Sequence, residues 1–461
     1  MRNESDSMGA MQVPEDALYG ASTQRAVLNF PISGHKMPDG FIRGLGLIKW
    51  AAAKANVELK RLDPKMADLI CDAAEEVYAG KLNAHFPVDV FQTGSGTSSN
   101  MNVNEVISNR VSQKMGKPIG SKDPIHPNDH VNMGQSSNDI IPTVLHVSLA
   151  VAIKEKLMPA LFNLQKALEA KSEEFKDVIK IGRTHLMDAT PLTLGQEFSG
   201  YAAQAKKSVE RAARCVEVLS ELAIGGTAVG TGINCHPEFP KKVCAHLMNR
   251  TGIKFYEARN HFEAQGGRDD AVEVAGELMT IAASLTKIAN DIRLLGSGPR
   301  AGIFEISLPA TQPGSSIMPG KVNPVMSEML VQASIYTIGM AQVVAMCGRD
   351  GHFELNVTIP LMAHALHESV TVLSNGANTF VAQCVNGITA NVEHCKHMVD
   401  RSLMLVTALN SHIGYDKAAW VAKTAFKENK TLKQVLLENK LLDEKTIDVA
   451  LDPRNMTSAK E

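Results

Sequence analysis

Aromatic residues make up only 5% of this 461-residue chain, with two tryptophans and six tyrosines, so platforms for stacking nucleobases are scarce. Basic residues are not in excess: 47 Lys and Arg stand against 49 Asp and Glu, a net charge of -2, which argues against a general nucleic-acid binder. No uninterrupted apolar stretch reaches the roughly 20 residues that a membrane helix needs. Cysteine is sparse and scattered. Cys71, Cys215, Cys235, Cys244, Cys347, Cys384 and Cys395 form an odd set without a C-x-x-C pair, so they read as reduced and mostly buried thiols rather than a disulfide framework. The opening Met1-Arg-Asn-Glu-Ser-Asp6 has no apolar signal core, and early acidic residues do not suit a transit peptide, so a cytoplasmic protein is expected. Repeats and low-complexity tracts are absent as well.

What is present is a set of long apolar periodicities. Hydrophobic residues reach 44% and charged residues 21%, ordinary values for a globular enzyme, and the length suggests roughly three domains. From Pro142 to Phe175 apolar residues recur at helical spacing, and similar patterns run from about Phe198 to Leu222, Ala271 to Leu295 and Val325 to Met346. Helices of about twenty residues exceed the average of roughly 11–12, and a bundle is the natural way to bury their faces. The first is apolar nearly all round, so partners on more than one side are expected, hence an obligate oligomer. Strand signals are few, with Asp89-Val-Phe-Gln-Thr93 a candidate, and the tail after Gly414 reads as short helices, for example around Thr431 to Asn439. The expected fold is mainly α: a mixed, mostly helical N-terminal domain over 1–139, a central long-helix bundle over 140–356 and a small helical domain over 357–461.

Polar, glycine-hinged loops lie between the helices. Gly314-Ser-Ser-Ile-Met-Pro-Gly-Lys-Val-Asn323 packs two hydroxyls, a cation and an amide into a loop shaped by Gly and Pro. Lys321 suits a carboxylate or phosphate, Asn323 can donate and accept, and Ser315 could serve as base or nucleophile. Gln92-Thr-Gly-Ser-Gly-Thr-Ser-Ser-Asn100 lacks a nucleotide P-loop ending, so it reads either as a plain helix-capping loop or as an anion site. Ser136, Ser137 and Asn138 precede the first long helix, again where helix-end donors favour a negative ligand. His126 and His130 flank Asp129, but Pro127 interrupts any helix that would align them and no H-E-x-x-H pattern appears, so neither metal nor cofactor is expected. His185, in Gly182-Arg-Thr-His185, is either a structural histidine or a proton shuttle, and Glu328 is a carboxylate able to orient an imidazole. Many neutral donors and one strong cation suit a small dianion.

Gly314–Asn323 resembles the signature of the fumarase/aspartase superfamily, and the resemblance runs from Asp6-Ser-Met-Gly9 and Leu18–Arg25 to Ser402–Ala419. The metal-independent class II fumarases are the branch it looks most like. Gly182-Arg-Thr-His185 resembles the fumarase form, whereas aspartases carry glutamine at His185; Thr93–Thr97, His126–Asp129 and His412-Ile-Gly-Tyr-Asp-Lys417 also look like fumarase, while Gly387-Ile-Thr-Ala-Asn391 is shared with aspartases. The resemblance implies a three-domain subunit in a tetramer with a shared multi-helix core, and reversible hydration of fumarate to L-malate. Aspartate ammonia-lyase is the alternative, with a non-catalytic homologue behind it.

Carried over by position, the resemblance makes Ser315 the base for the C3 proton of malate and gives His185 with Glu328 the proton on the hydroxyl side. It gives Ser95, Gly96, Thr97, Ser136, Ser137, Asn138, Thr184, Ser316, Lys321, Val322 and Asn323 the substrate contacts, drawn from three chains. His126, Pro127, Asn128 and Asp129 match a second dicarboxylate site. His130, Met133 and Asp123 depart there from the residues that familiar fumarases carry.

Overall fold

In the computed structural model, residues 1–459 are described, and helices dominate them. Four two-stranded ribbons are the only sheets among those residues. They divide into two compact units, one built from Met1–Pro159, Val209–Ala283 and Ala333–Ser374, the other from Ala160–Ser208, Ser284–Gln332 and Asn375–Glu461.

The first unit is organised around the helix Asp39–Glu58, which packs against the helices Pro64–Tyr78, Ser137–Ala152 and Phe239–Thr251. It buries Phe41, Ile42, Leu45, Leu47 and Ile48 almost completely, and each such side chain contributes about 1.5–3 kcal/mol of transfer free energy. The helix Thr97–Lys114 differs. It buries Ser98, Ser99, Asn100, Asn102, Asn104, Ser108, Asn109 and Ser112 beside Val103, Val106, Ile107 and Val111, so its packing depends on side-chain hydrogen bonds that apolar periodicity does not reveal.

In the second unit the antiparallel hairpin Ile179–Thr184 and Met187–Thr193 lies against the helix Val392–Arg401. Ile181 joins a core with Val399, Leu405, Leu409, Val421, Val435, Leu436 and Ile447 from the C-terminal segments. The short antiparallel pair Ile306–Ser307 with Thr389–Ala390 fixes the chain upstream of the Gly314 loop.

The expected long helices over 198–222, 271–295 and 325–346 form as Leu194–Val218, Asp269–Leu295 and Val325–Arg349. The one expected from Pro142 to Phe175 is different: it starts at Ser137 and continues as Ser137–Ala152, a π turn over Ile153–Leu157, and Met158–Glu174. Pro142 lies inside it because a capping box at Ser136 starts the helix earlier. The candidate strand at Asp89 is only an isolated bridge to Lys36. There the Asp89 carboxylate accepts from the amides of Ser33, Gly34 and Phe91, which makes the segment a side-chain-stapled loop. The expected tail helices are Tyr415–Glu428, Leu432–Glu438 and Glu444–Ala450. Six of the seven cysteines are buried and all are free thiols, with Cys235 half-buried. Burial pushes the Cys215, Cys244 and Cys384 thiols up to about 12.

Candidate active site

Two helix N-termini converge in the first unit. Gly96 caps the Thr97–Lys114 helix at φ +74°, and a Cβ there would come within 2.7 Å of the Ile141 side chain, so glycine is required on both counts. Ser95 Oγ and Thr97 Oγ1 lie 2.8 Å apart, and Gln92 Oε1 accepts from the Ser99 amide and hydroxyl. One turn along the same helix, Asn100 Nδ2 donates to Ser137 Oγ at 3.1 Å. The loops bearing Ser95, Gly96 and Thr97 and bearing Ser136, Ser137 and Asn138 therefore meet, with the positive ends of two helices between them.

Asp139 holds the second of these loops. Its Oδ1 accepts from the Ser136 amide at 2.9 Å, and its Oδ2 accepts from Gly225 at 2.9 Å and Thr227 at 3.1 Å. Burial raises the Asp139 carboxyl above the usual carboxylate range, while the three amides oppose that shift. Asn138 Nδ2 donates to the Ala228 carbonyl at 2.8 Å, which fixes its amide. Sequence reasoning missed Asp139, although Ser136-x-x-Asp139 carries the capping-box spacing that marks it.

In the second unit His185 and Leu186 form the two-residue turn of the hairpin, at φ +56° and +62°. Both central residues occupy the left-handed region, as a type I′ turn demands, and neither is glycine. Such backbone strain persists only where the surroundings impose it. Here Lys180 reaches Glu197 at 2.6 Å and Glu305 at 3.2 Å, and Arg183 reaches Glu305 at 2.9 Å. Thr184 and His185 are thus presented to solvent on an anchored stalk.

The Gly314–Asn323 loop closes on itself. Gly314 N donates to Lys321 O at 2.9 Å, and Asn323 Nδ2 donates to Gly314 O at 2.7 Å. A Cβ on Gly314 would lie 2.4 Å from that Lys321 carbonyl, so the closure admits no other residue. Ser315 Oγ accepts from the amides of Ile317 at 3.2 Å and Met318 at 3.0 Å. Two N–H groups aimed at one hydroxyl oxygen favour negative charge on it. Ser316, Lys321 and Val322 are exposed. Glu328 is exposed in the first turn of Val325–Arg349. Among the described residues, no hydrogen bond or ion pair joins His185 to Glu328 within one chain.

His126 caps a π turn over Pro127–Val131, its Nδ1 accepting from the amides of Asn128 and Asp129. The His126 amide donates to His130 Nδ1 at 2.9 Å, which assigns that ring its Nε2–H tautomer, and burial lowers the His130 pKa. Asp123 is paired with Lys117. No group of three or more His, Cys, Asp or Glu side chains suited to holding a metal occurs among the described residues.

A lyase family model matches residues 9–339, and a fumarase C C-terminal model matches 405–458. The class II fumarate hydratase of Mesorhizobium japonicum is 52% identical over 99% of this chain and 98% of its own length. The chain belongs to the class II fumarase family. The human mitochondrial fumarate hydratase is 50% identical over 100% of this chain and 90% of its own length. The crystal structure of the class II fumarase of Schistosoma mansoni superposes with a TM-score of 0.96 at 40% identity, covering 99% of this chain and 98% of that one.

Proposed function

We propose that this protein is a fumarate hydratase that reversibly adds water to fumarate to give L-malate, by acid/base chemistry from its own side chains. The observation that carries the chemistry is Ser315 Oγ held by two backbone amides inside a loop that also bears Lys321 and Asn323. In this reading Ser315 removes the C3 proton of malate, and its alkoxide is favoured by the Ile317 and Met318 amides. Proton removal beside a carboxylate puts extra charge on that carboxylate's oxygens, where Lys321 and Asn323 supply a cation and an amide donor. His185, oriented by Glu328, delivers the proton to the departing hydroxyl. Thr184, Ser316 and Val322 with the two helix N-termini at Ser95–Thr97 and Ser136–Asn138 hold the carboxylates. The turn at His126–Asp129 is a second dicarboxylate site in this reading.

The reading includes a homotetramer whose active sites draw on several copies, with domains over 1–139, 140–356 and 357–461. Its support is the helix Val325–Arg349, the one described helix long and apolar enough to cross a membrane, with mean hydropathy 1.5 and only 33% of its most apolar stretch buried within the chain. Ile335 and Met346 are 61% and 60% exposed on it, the kind of apolar face that a bundle of copies covers. Exposed His185 and Glu328, unjoined within one chain, fit the same arrangement. The reading includes a role in the tricarboxylic acid cycle and a cytoplasmic location.

Aspartate ammonia-lyase is the second reading, and histidine rather than glutamine at position 185 favours water over ammonia. The ultraviolet absorbance of fumarate formed from L-malate and from L-aspartate by purified protein separates the two. Formation from malate is expected; formation from aspartate alone would reject this assignment.

A further inference from the structure

Lys49 is a buried cation without a carboxylate on it. It sits in the middle of the Asp39–Glu58 helix with 0% of its surface exposed, and its Nζ donates to Asn132 Oδ1 and to Gln135 Oε1, each at 2.9 Å. An ammonium removed from water costs several kcal/mol unless it is matched by strong acceptors, and two neutral amide oxygens are a thin match. Apolar periodicity would put leucine or alanine there.

The amides that Lys49 holds belong to the loop leading into Ser136. Asn132 Oδ1 also accepts from Asn100 Nδ2 at 3.3 Å, and Asn100 Nδ2 donates in turn to Ser137 Oγ at 3.1 Å. Asn132 Nδ2 donates to the Gln135 carbonyl, and Gln135 Nε2 donates to the carbonyls of Val131 and Met133. Asn56, one helix position family further along the same face, donates to the Met133 carbonyl at 3.1 Å. The segment between the His126 turn and Ser136 is thereby tied to the Asp39–Glu58 helix, and its central tie is Lys49. Asn100 Oδ1 is buried without a donor, so the cluster remains rich in acceptors. The two amide oxygens on Nζ suit an ammonium that donates to both.

We propose that Lys49 is a positioning residue for dicarboxylate binding, whose ammonium orders the Asn132–Gln135 amides beneath Ser137 and supplies positive potential to the helix N-termini that meet the dianion. The role rests on the dicarboxylate-lyase reading of the site. Burial lowers the Lys49 pKa to about 7, and the buried carboxylate of Asp139 opposes that shift. Asp139, on the Ser137–Ala152 helix, is the carboxylate that acts on it. A bound dianion stabilises the charged form, so binding near neutral pH draws a proton onto Lys49. The sign follows: dicarboxylate affinity is strongest where Lys49 is protonated and falls as pH rises through about 7.

The test uses succinate, a dicarboxylate with no double bond to hydrate, as an inhibitor of malate turnover by the full-length protein. Lys49→Met removes the charge at nearly constant volume. Inhibition by succinate is expected to weaken about tenfold at pH 6.5, with the gap from the wild type closing by pH 9. An equal inhibition constant at pH 6.5, or a loss of the same size at both pH values, would overturn the charge role. Should Lys49→Met fail to fold, calorimetry of succinate binding near pH 7 in two buffers of different ionisation enthalpy reads proton uptake directly, with the double variant His185→Asn, His126→Gln as the protein so that the imidazoles of the two proposed dicarboxylate sites do not contribute. Fractional uptake supports the assignment, and its absence refutes it. A wild type that turns over malate while Lys49→Met is indistinguishable from it would leave the functional reading standing and remove Lys49 from it. A wild type that neither turns over malate nor responds to succinate would remove both.

Discussion

Arg183 Nη1 lies 2.9 Å from Glu305 Oε1, and the Glu305 side chain has no exposed surface. The pair joins the strand that ends in Thr184, just before the His185 turn, to the segment that runs into the Gly314 loop. Lys180 shares the same carboxylate at 3.2 Å but also reaches Glu197 at 2.6 Å, so Arg183 is the cation that depends on this acid. Breaking a buried pair by removing one partner costs about 3–5 kcal/mol, because the other charge is left uncompensated. Glu305→Gln is therefore expected to lower the thermal midpoint by several degrees and to reduce malate turnover. A differential scanning trace matching the wild type would show that this carboxylate is not an anchor.

His185 and Leu186 occupy a left-handed turn without the glycine or asparagine that such turns favour. Asparagine tolerates that conformation, so His185→Asn should leave the hairpin intact while lowering turnover by about 10²–10⁴, the usual contribution of a general acid or base. Leu186→Gly should relieve strain of about 1 kcal/mol and raise thermal stability. A fold that melts early in His185→Asn would mean the imidazole is structural.

How much of this was legible in the sequence depends on what each element is made of. Asp269–Leu295 is bounded close to where its apolar spacing ends, because burial decides it: Val274, Leu278, Ile281, Leu285 and Ile288 are fully buried. The Ser137 start was hidden by Pro142, which reads as a helix boundary yet lies inside the helix once Ser136 and Asp139 cap it. Asp89 imitates a strand because β-branched and aromatic neighbours follow it, whereas its carboxylate staples a loop. The Gly314 segment was readable as a loop shaped by Gly and Pro from composition alone. Its internal closure, and the two amides on Ser315, arise from backbone geometry that composition does not specify. Lys49, Asp139 and Glu305 escaped notice for one reason: a buried charge is recognised by its partners, which lie far away along the chain.

Two histidines give stability a pH dependence. Burial lowers His367 to about 3 and His146 to about 4. Both are neutral in the fold and bind protons near pH 6.5 once unfolded, so their contribution is complete above about 6.5 and is lost as pH falls toward 4. Each contributes a slope of about 1.4 kcal/mol per pH unit in that window. His367→Gln can keep a partner for Ser148 Oγ, now 2.8 Å from His367 Nε2, and should remove one such slope. Urea unfolding at pH 6.5, 5.5 and 4.5 checks it; an unchanged slope would mean that His367 does not titrate in this way.

The exposed apolar face of Val325–Arg349 gives an assembly test. Ile335→Glu with Met346→Glu places charges on that face and should shift sedimentation from the proposed tetramer to smaller species, with malate turnover falling in parallel. Full activity from a monomer would contradict sites shared between copies.

The most direct measurement is malate turnover by Ser315→Ala. With the assembly state and melting temperature unchanged, fumarate formation should drop by several orders of magnitude, since the oxygen proposed to receive the C3 proton is gone while the amides of Ile317 and Met318 remain. Turnover within a few-fold of the wild type would contradict Ser315 as the base and, with it, the mechanism built on this loop.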